Sequence, residues 1–249
     1  MTKKELLFEE MFDYDGKPNE DYFEMVVGDH WHNNELQCYT NSPKNCFVGE
    51  GTLNLVATLN EDKCKYQSAR LTTKNKVHFQ YGRFVVRAKM PKGRGSWPAV
   101  WFLGVEDEFE GWPKRGEIDL LEFAGHKKDR VTCAIHTSTY NHRDSTDLGG
   151  HYELKDADDN FHDYILEWTK DYLSFQVDYE EYFRIEKKET DTTNEFPFNK
   201  PYHMIINLAV GGMYGKEVFD EDLPYHFEIA SIRVFQINNE AKVIKINQK

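Results

Sequence analysis

The sequence has little that would make it flexible, fibrous or membrane-spanning. Its 249 residues include 16 Gly and 8 Pro, too few for a collagen-like or low-complexity chain. No apolar run approaches the roughly 18 residues that a transmembrane helix needs. The start, Met1 to Glu5, leads into acidic sequence and not into an apolar core. The chain as given is therefore expected to be cytoplasmic, or secreted if it is a processed form.

Positive charge and paired cysteines are also scarce. Lys and Arg number 31 against 43 Asp and Glu, which gives a net charge of -12. Nucleic acid and anionic membrane surfaces are therefore not expected as partners. The four cysteines Cys38, Cys46, Cys64 and Cys133 contain no Cys-x-x-Cys pair, which argues against structural zinc. Because the start does not resemble an export signal, we expect free thiols.

Alternation with a period of two residues is common, whereas helical periodicity is rare. Three of the alternating runs are Leu53 to Ala57, Phe84 to Met90 and Leu173 to Val177, and this pattern predicts strands with one buried face. Aromatic residues make up 14% of the chain and can fill a large core. Many short strands without a linker or repeat predict an all-β antiparallel sandwich, formed by one domain over residues 1–249.

The segment Gly116 to Phe123 carries the most information about chemistry, because three acids interleave there with apolar residues. On a regular strand Glu117 and Asp119 share a face, and Glu122 points the other way. A bulge at Leu120-Leu121 would add one residue and bring all three acids to one face. The two glutamate carboxyls would then lie about 5 Å apart, the separation typical of a retaining glycosidase.

The local pattern leaves two other interpretations open. One is a solvated strand face, although three repelling acids without basic neighbours would be costly there. The other is a calcium site, which also gathers carboxylates. Nearby aromatic residues favour a sugar cleft, because flat rings stack on the apolar faces of sugars. Trp97 and Trp101 would share one strand face, either toward the cleft or toward the core, and Trp112 lies in a loop between Gly111 and Pro113.

Taken in order, the motifs resemble glycoside hydrolase family 16, in its branch of laminarinase-like endo-β-glucanases. The resemblance covers nearly the whole chain. Besides the acidic strand, it is carried by the segments Trp31 to Thr40, Ser68 to Lys74, Tyr81 to Gly93, Gly95 to Gly104, Phe161 to Trp168 and Asn207 to Gly212. It implies a β-jelly-roll sandwich of two curved antiparallel sheets, with the concave sheet forming an open cleft for a β-glucan chain.

The resemblance also implies roles for single residues. Glu117 matches the nucleophile, Glu122 the acid/base and Asp119 the assisting acid. The positions that line the sugar subsites match Asn34, Arg70, Trp97, Trp101, Trp112 and His136. Plainer roles are open for three of these: Asn34 could cap a turn, Arg70 could pair with a surface acid, and His136 could be a hydrogen-bonded core histidine.

The implied function is retaining hydrolysis of β-1,3-glucan by double displacement. Mixed-linkage β-1,3-1,4-glucan is the alternative substrate, and transglycosylation and non-catalytic glucan binding are the alternative activities. The expected partner is a β-glucan polysaccharide or oligosaccharide, bound by a monomer.

Two positions depart from the family pattern. Many relatives carry an Asp in the last strand that helps to bind a structural calcium, and the matching position here is Ala230. Glu10 could still match the other calcium-side residue. We therefore expect no metal ligands at the active site and no required cofactor, and structural calcium stays open. The hairpin at Val177-Asp178-Tyr179 lacks the glycine that usually follows Val-Asp in the family, so the resemblance does not determine the geometry of this loop.

Overall fold

Strands dominate the computed structural model, which describes residues 5–61, 64–105 and 111–246. Residues 1–4, on which part of the expectation about an export signal depends, lie outside the described residues. The strands are β1 (Leu6–Glu10), β2 (Glu24–Met25), β3 (Gln37–Tyr39), β4 (Cys46–Gly49), β5 (Thr52–Leu59), β6 (Tyr66–Ser68), β7 (Arg70–Thr72), β8 (Val77–Gln80), β9 (Gly82–Lys89), β10 (Ser96–Gly104), β11 (Glu117–Phe123), β12 (Arg130–His136), β13 (Leu148–Glu153), β14 (His162–Trp168), β15 (Tyr172–Val177), β16 (Glu180–Glu186), β17 (Tyr202–Val210), β18 (Tyr225–Phe235) and β19 (Lys242–Lys245).

Helical structure in the described residues is limited to short turns. These are α1 (Gly212–Gly215) and the 3-10 turns His32–Asn34, Gly125–Lys127 and Asp220–Asp222. None of these turns has the length or the apolar character that a membrane span requires.

The described strands form two sheets whose apolar faces meet. A ten-stranded sheet has the order β16-β15-β14-β9-β18-β5-β6-β3, with β1 beside β18 and β4 beside β5. A nine-stranded sheet has the order β13-β12-β11-β10-β17-β7-β2, and β8 pairs with both β17 and β19. The pairing of β3 with β6 is parallel, and the other ladders of the described residues are antiparallel. The predicted all-β sandwich is confirmed.

The core between the sheets is built from the alternating apolar residues. Phe84 of β9 meets Phe102 of β10 edge to face, with ring centroids 4.8 Å apart, and Trp168 of β14 stacks on Phe84. The runs Leu53 to Ala57 and Leu173 to Val177 enter the same core through every second residue. Burying one such large side chain contributes about 1.5–3 kcal/mol, so in these two runs the alternation determines which face of the strand enters the core.

The expectation of free thiols is wrong for two of the four cysteines. Cys38 of β3 and Cys64, just before β6, form a disulfide, whereas Cys46 and Cys133 are free and buried. The paired cysteines are separated by 26 residues in sequence and become neighbours because β3 and β6 pair. Burial raises the pKa of the two free thiols to about 12, which makes them unreactive.

The hairpin between β15 and β16 keeps a two-residue turn without glycine. Val177 pairs with Glu180, and both turn residues, Asp178 and Tyr179, have positive φ angles of 48° and 72°, as in a type I′ turn. The Asp178 carboxylate accepts a hydrogen bond from the backbone N–H of Asp163 at 2.9 Å. This contact stabilises the turn. The loop therefore keeps its two-residue length although it lacks glycine.

Candidate active site

The three acids of β11 share one face through a bulge. The register against β12 is regular from Glu117 to Asp119 and then shifts before Glu122. A matching shift occurs against β10. Leu120 and Leu121 both enter the core, and the extra residue restores the alternation so that the three acids face the same cleft. The predicted bulge and the shared face are confirmed.

The cleft has a volume of about 800 Å³ and opens on the outer face of the nine-stranded sheet. Strands β7, β10, β11 and β17 supply its floor, and three loops supply its walls. The lining residues are Asp29, His30, Trp31, His32, Asn33, Glu35, Arg70, Trp97, Ala99, Trp101, Leu103, Trp112, Arg115, Glu117, Asp119, Glu122, His142, Arg143 and Asn207.

Each glutamate of the bulged strand accepts one indole N–H. Trp112 Nε1 donates to Glu117 Oε2 at 3.1 Å, and Trp97 Nε1 donates to Glu122 Oε1 at 3.0 Å. Trp97 therefore faces the cleft and not the core. A hydrogen bond to the charged form of a carboxyl favours ionisation, so the two tryptophans stabilise negative charge on the two glutamates.

His136 of β12 lies against the other side of the acids. Its Nε2 atom is 3.3 Å from Asp119 Oδ2 and 3.8 Å from Glu117 Oε1. The residue is buried, and its Nδ1 atom has no hydrogen-bond partner in the part of the chain that the structure describes. Glu117, Asp119 and His136 have ligand atoms within 4.8 Å of one another, a donor set that would also suit a divalent cation. The absence of metal ligands here stays a prediction.

Burial raises the pKa of all three carboxyls, and for the two glutamates the charge of Asp119 adds to this effect. For Glu117 the nearby acids raise the pKa further, while His136 and Trp112 lower it. The pKa of Glu122 is lowered by the hydrogen bond from Trp97 and by the nearby His136. The pKa of Asp119 is raised by burial and by the nearby charge of Asp147. Since like charges this close do not ionise together, the three acids are not all charged at once, and at least one of them holds a proton.

Arg70 lies inside the cleft between two indole rings. Its guanidinium carbon is 5.0 Å from the ring centroid of Trp31 and 5.1 Å from that of Trp101. Trp101 Nε1 donates to Asn207 Oδ1 at 2.7 Å, which holds the second ring in place. A cation between aromatic faces is held by electrostatic attraction. The structure therefore places Arg70 and Trp101 in the cleft, and not in a surface ion pair or in the core.

Asn34 lies on an exposed corner, and at this turn Asn33 and Glu35 line the cleft. Asn33 and Asn34 both have positive φ angles, 62° and 57°, so the alternation of side chains is interrupted here. Gly212 lets the turn lie against the end of β17, because a Cβ at Gly212 would be 2.8 Å from the Asn33 carbonyl oxygen. Asn34 is therefore not among the residues that line the cleft, and its role in a subsite stays a prediction.

Sequence reasoning missed several residues of the cleft walls. Arg143 places its guanidinium carbon 4.8 Å from the ring centroid of Trp112, and the ring of His142 is 4.9 Å from the same indole. Part of the Trp112 ring is therefore covered by protein. Glu35 and Asn207 lie in segments that carried the family resemblance, which was the available signal. His142 and Arg143 lie in an irregular loop, where no pattern indicated them.

Both the sequence and the fold of this chain match known proteins. The family model of glycosyl hydrolases family 16 matches residues 32–222. A beta-glucanase of Rhodothermus marinus is 38% identical over 243 residues, which cover 93% of this chain and 85% of that protein. The X-ray structure of the laminarinase from Rhodothermus marinus superposes with a TM-score of 0.91 at 37% identity, over 94% of this chain and 98% of that one. The crystal structure of SCLam, a non-specific endo-beta-1,3(4)-glucanase, superposes with a TM-score of 0.89 at 31% identity, over 95% of this chain and 92% of that one. These matches confirm the jelly-roll fold.

Proposed function

The chain belongs to glycosyl hydrolases family 16, and from this membership and the cleft we propose that Glu117 attacks the anomeric carbon of a bound β-glucan. The chain is an endo-β-glucanase. In the first step Glu122 protonates the departing oxygen, and a glycosyl-enzyme forms on Glu117. In the second step Glu122 takes a proton from water, which releases the sugar with its β-configuration retained.

One observation carries this assignment of roles. The bulge brings two glutamates to the floor of one cleft, and each receives an indole N–H from a different tryptophan. The two carboxyls are thus held separately, as a nucleophile and an acid must be. Asp119 lies between them with its pKa raised by burial, and when it is protonated it carries no negative charge to oppose ionisation of Glu117.

The same chemistry supports an enzyme that needs no cofactor, because carboxyl groups supply both the nucleophile and the acid. Few side-chain ligands are available at the expected calcium position, which supports the proposal that no metal is required. Ala230 has no ligating side-chain atom and lies at a bulge of β18 between Ile229 and Ser231. Glu10 is buried, and its Oε1 atom accepts the N–H of Phe12 at 3.0 Å. We therefore expect catalysis to be independent of calcium.

The preferred substrate that we propose is β-1,3-glucan. Mixed-linkage β-1,3-1,4-glucan is the second candidate, because SCLam is named for activity on both linkages. A purely binding role is disfavoured, since the three acids and both indole donors are in place. The disulfide between Cys38 and Cys64 supports an oxidising compartment for the working enzyme, as expected for a processed, exported form.

Product analysis on three polysaccharides tests the proposal. Laminarin, barley-type mixed-linkage glucan and a β-1,4-glucan are incubated side by side, and the released oligosaccharides are separated. We expect the highest kcat/KM on laminarin, and proton NMR should show the β-anomer first. Glu117→Gln should lower turnover by several orders of magnitude. Initial release of the α-anomer, or a Glu117→Gln variant with a tenth of the parent activity, would contradict the assignment.

A further inference from the structure

Besides the three acids of β11, the carboxyl side chains of Asp29 and Glu35 line the cleft, and the proposed mechanism uses neither. Glu35 follows the reversed turn at Asn33 and Asn34 and lines the cleft together with Arg70 and Trp101. Its side chain is half-buried, and burial raises its pKa. Partial burial of an ionisable group costs free energy unless the group is well paired or binds a ligand. The hydrogen-bond partners of Glu35 therefore indicate its role.

The two side-chain donors that reach Glu35 bind the same oxygen atom, and both have fixed orientations. Gln37 Nε2 donates to Glu35 Oε2 at 2.7 Å, and this amide cannot flip because its Oε1 atom accepts the Val210 N–H at 2.7 Å. The Tyr39 hydroxyl donates to the same Oε2 atom at 3.5 Å and accepts a hydrogen bond from Asn207 at 3.1 Å. Burial raises the pKa of Tyr39 well above its usual range, so its hydroxyl stays a donor.

The second oxygen of Glu35 is left for a ligand. Within residues 5–61, 64–105 and 111–246, no donor reaches Oε1, and this atom is not sealed inside the protein. Arg70 stands close enough to attract the carboxylate, and its own Nε atom is buried without a partner among the described residues. The cleft therefore offers a fixed hydrogen-bond acceptor beside the Arg70 and Trp101 stack.

We propose that Glu35 is a specificity-determining residue whose Oε1 atom accepts a hydrogen bond from a free hydroxyl of the sugar bound beside Arg70 and Trp101. This inference rests on the proposed glucanase function and adds a requirement to it. The sugar in this subsite must carry a donor, and a substituent that only accepts, such as a methoxyl or a sulfate ester, is rejected there. Such rejection is strong, because the polar groups of the site would be left unpaired.

Glu35→Gln tests the requirement with almost no change in volume. Because Gln37 and Tyr39 both donate, the amide oxygen of the new side chain must take the position of Oε2. The amide nitrogen then takes the position of Oε1 and faces the cleft. The substitution therefore replaces an acceptor by a donor at the one atom that the inference concerns.

Binding is measured calorimetrically with laminaripentaose in the Glu117→Gln background, which prevents turnover. We expect Glu35→Gln to raise Kd about 10- to 100-fold, the range for a lost hydrogen bond to a charged group. Glu9→Gln is the matched control, because Glu9 is exposed on β1 of the other sheet, and its Kd should not change. A Glu35→Gln protein of unchanged melting temperature that binds within two-fold of its parent would overturn the inference.

A series of monodeoxy laminaripentaoses gives a second measurement that does not depend on how the variant folds. One deoxy ligand should bind the Glu117→Gln parent about ten-fold more weakly, and the same ligand should lose little further affinity in Glu35→Gln. If every deoxy ligand binds the parent as tightly as the complete pentaose, no hydroxyl is being recognised and the inference fails. Failure of the proposed function has a different signature, since the wild-type chain would then neither hydrolyse nor bind any of the β-glucans.

Discussion

Trp112→Phe removes one hydrogen-bond donor from the proposed nucleophile and keeps an aromatic ring in the loop. The lost contact is the one from Nε1 to Glu117 Oε2 at 3.1 Å. A hydrogen bond to a charged group contributes about 1.5–3 kcal/mol, and one pKa unit corresponds to about 1.4 kcal/mol. The pKa of Glu117 should therefore rise by about one to two units in the variant.

The sign of the effect on activity follows from the role of Glu117. The nucleophile must be ionised, so a higher pKa reduces the active fraction on the acidic side. The acidic limb of kcat/KM against pH should move to higher pH by about one to two units, and kcat/KM should recover at pH values above the new limb. The assay is the initial rate of reducing-end release from laminarin across the pH range, with the melting temperature measured in parallel.

Trp31→Phe provides the matched control. The Trp31 indole donates to the Gly28 carbonyl oxygen at 3.1 Å and not to an acid, so this variant should keep the acidic limb in place even if KM changes through Arg70. An acidic limb of Trp112→Phe that coincides with that of the wild type would refute the reasoning. Trp112 would then serve as packing or as a sugar platform.

Three further predictions concern the acid, metal and the disulfide. Glu122→Ala should lose far more activity on laminarin than on activated aryl glycosides, and added azide should give a β-glycosyl azide by NMR; an α-azide would contradict the assigned roles. EDTA should leave kcat on laminarin within about two-fold of its original value, and a complete loss that calcium reverses would show that a metal is needed. Replacing Cys38 and Cys64 together by Ser should lower the free energy of unfolding by about 3.5 kcal/mol in urea titration, because the bridge joins residues that are 26 positions apart. An unchanged unfolding midpoint would contradict that estimate.

Much of the site could be predicted because it lies on regular strands. The alternation in Gly116 to Phe123 allowed a bulge to be inferred, and the structure has that bulge at Leu120. Alternation also required Trp97 and Trp101 to share a face. It could not say which face, because both sides of this strand carry large apolar residues. Only the pairing of β10 with β11 and β17 turns the two indoles toward the cleft.

Residues on irregular backbone escaped prediction for a related reason. At Asn33 and Asn34 two consecutive positive φ angles break the side-chain alternation, so the asparagine expected in the cleft is exposed and its neighbours line the cleft instead. His142 and Arg143 reach Trp112 from a loop between β12 and β13, and no local periodicity encodes that approach. The position of a loop depends on the contacts that hold it, and these come from distant parts of the chain.

The sequence alone therefore determined the sandwich and the three acids on one face, because strand alternation and a bulge are local properties of the chain. The tertiary structure decided everything that depends on neighbours far apart in sequence. Parallel pairing of β3 with β6 brings Cys38 to Cys64, and the end of β17 supplies the N–H that fixes Gln37 and, through it, Glu35. Such contacts arise from the way strands assemble, and no window of sequence contains both partners.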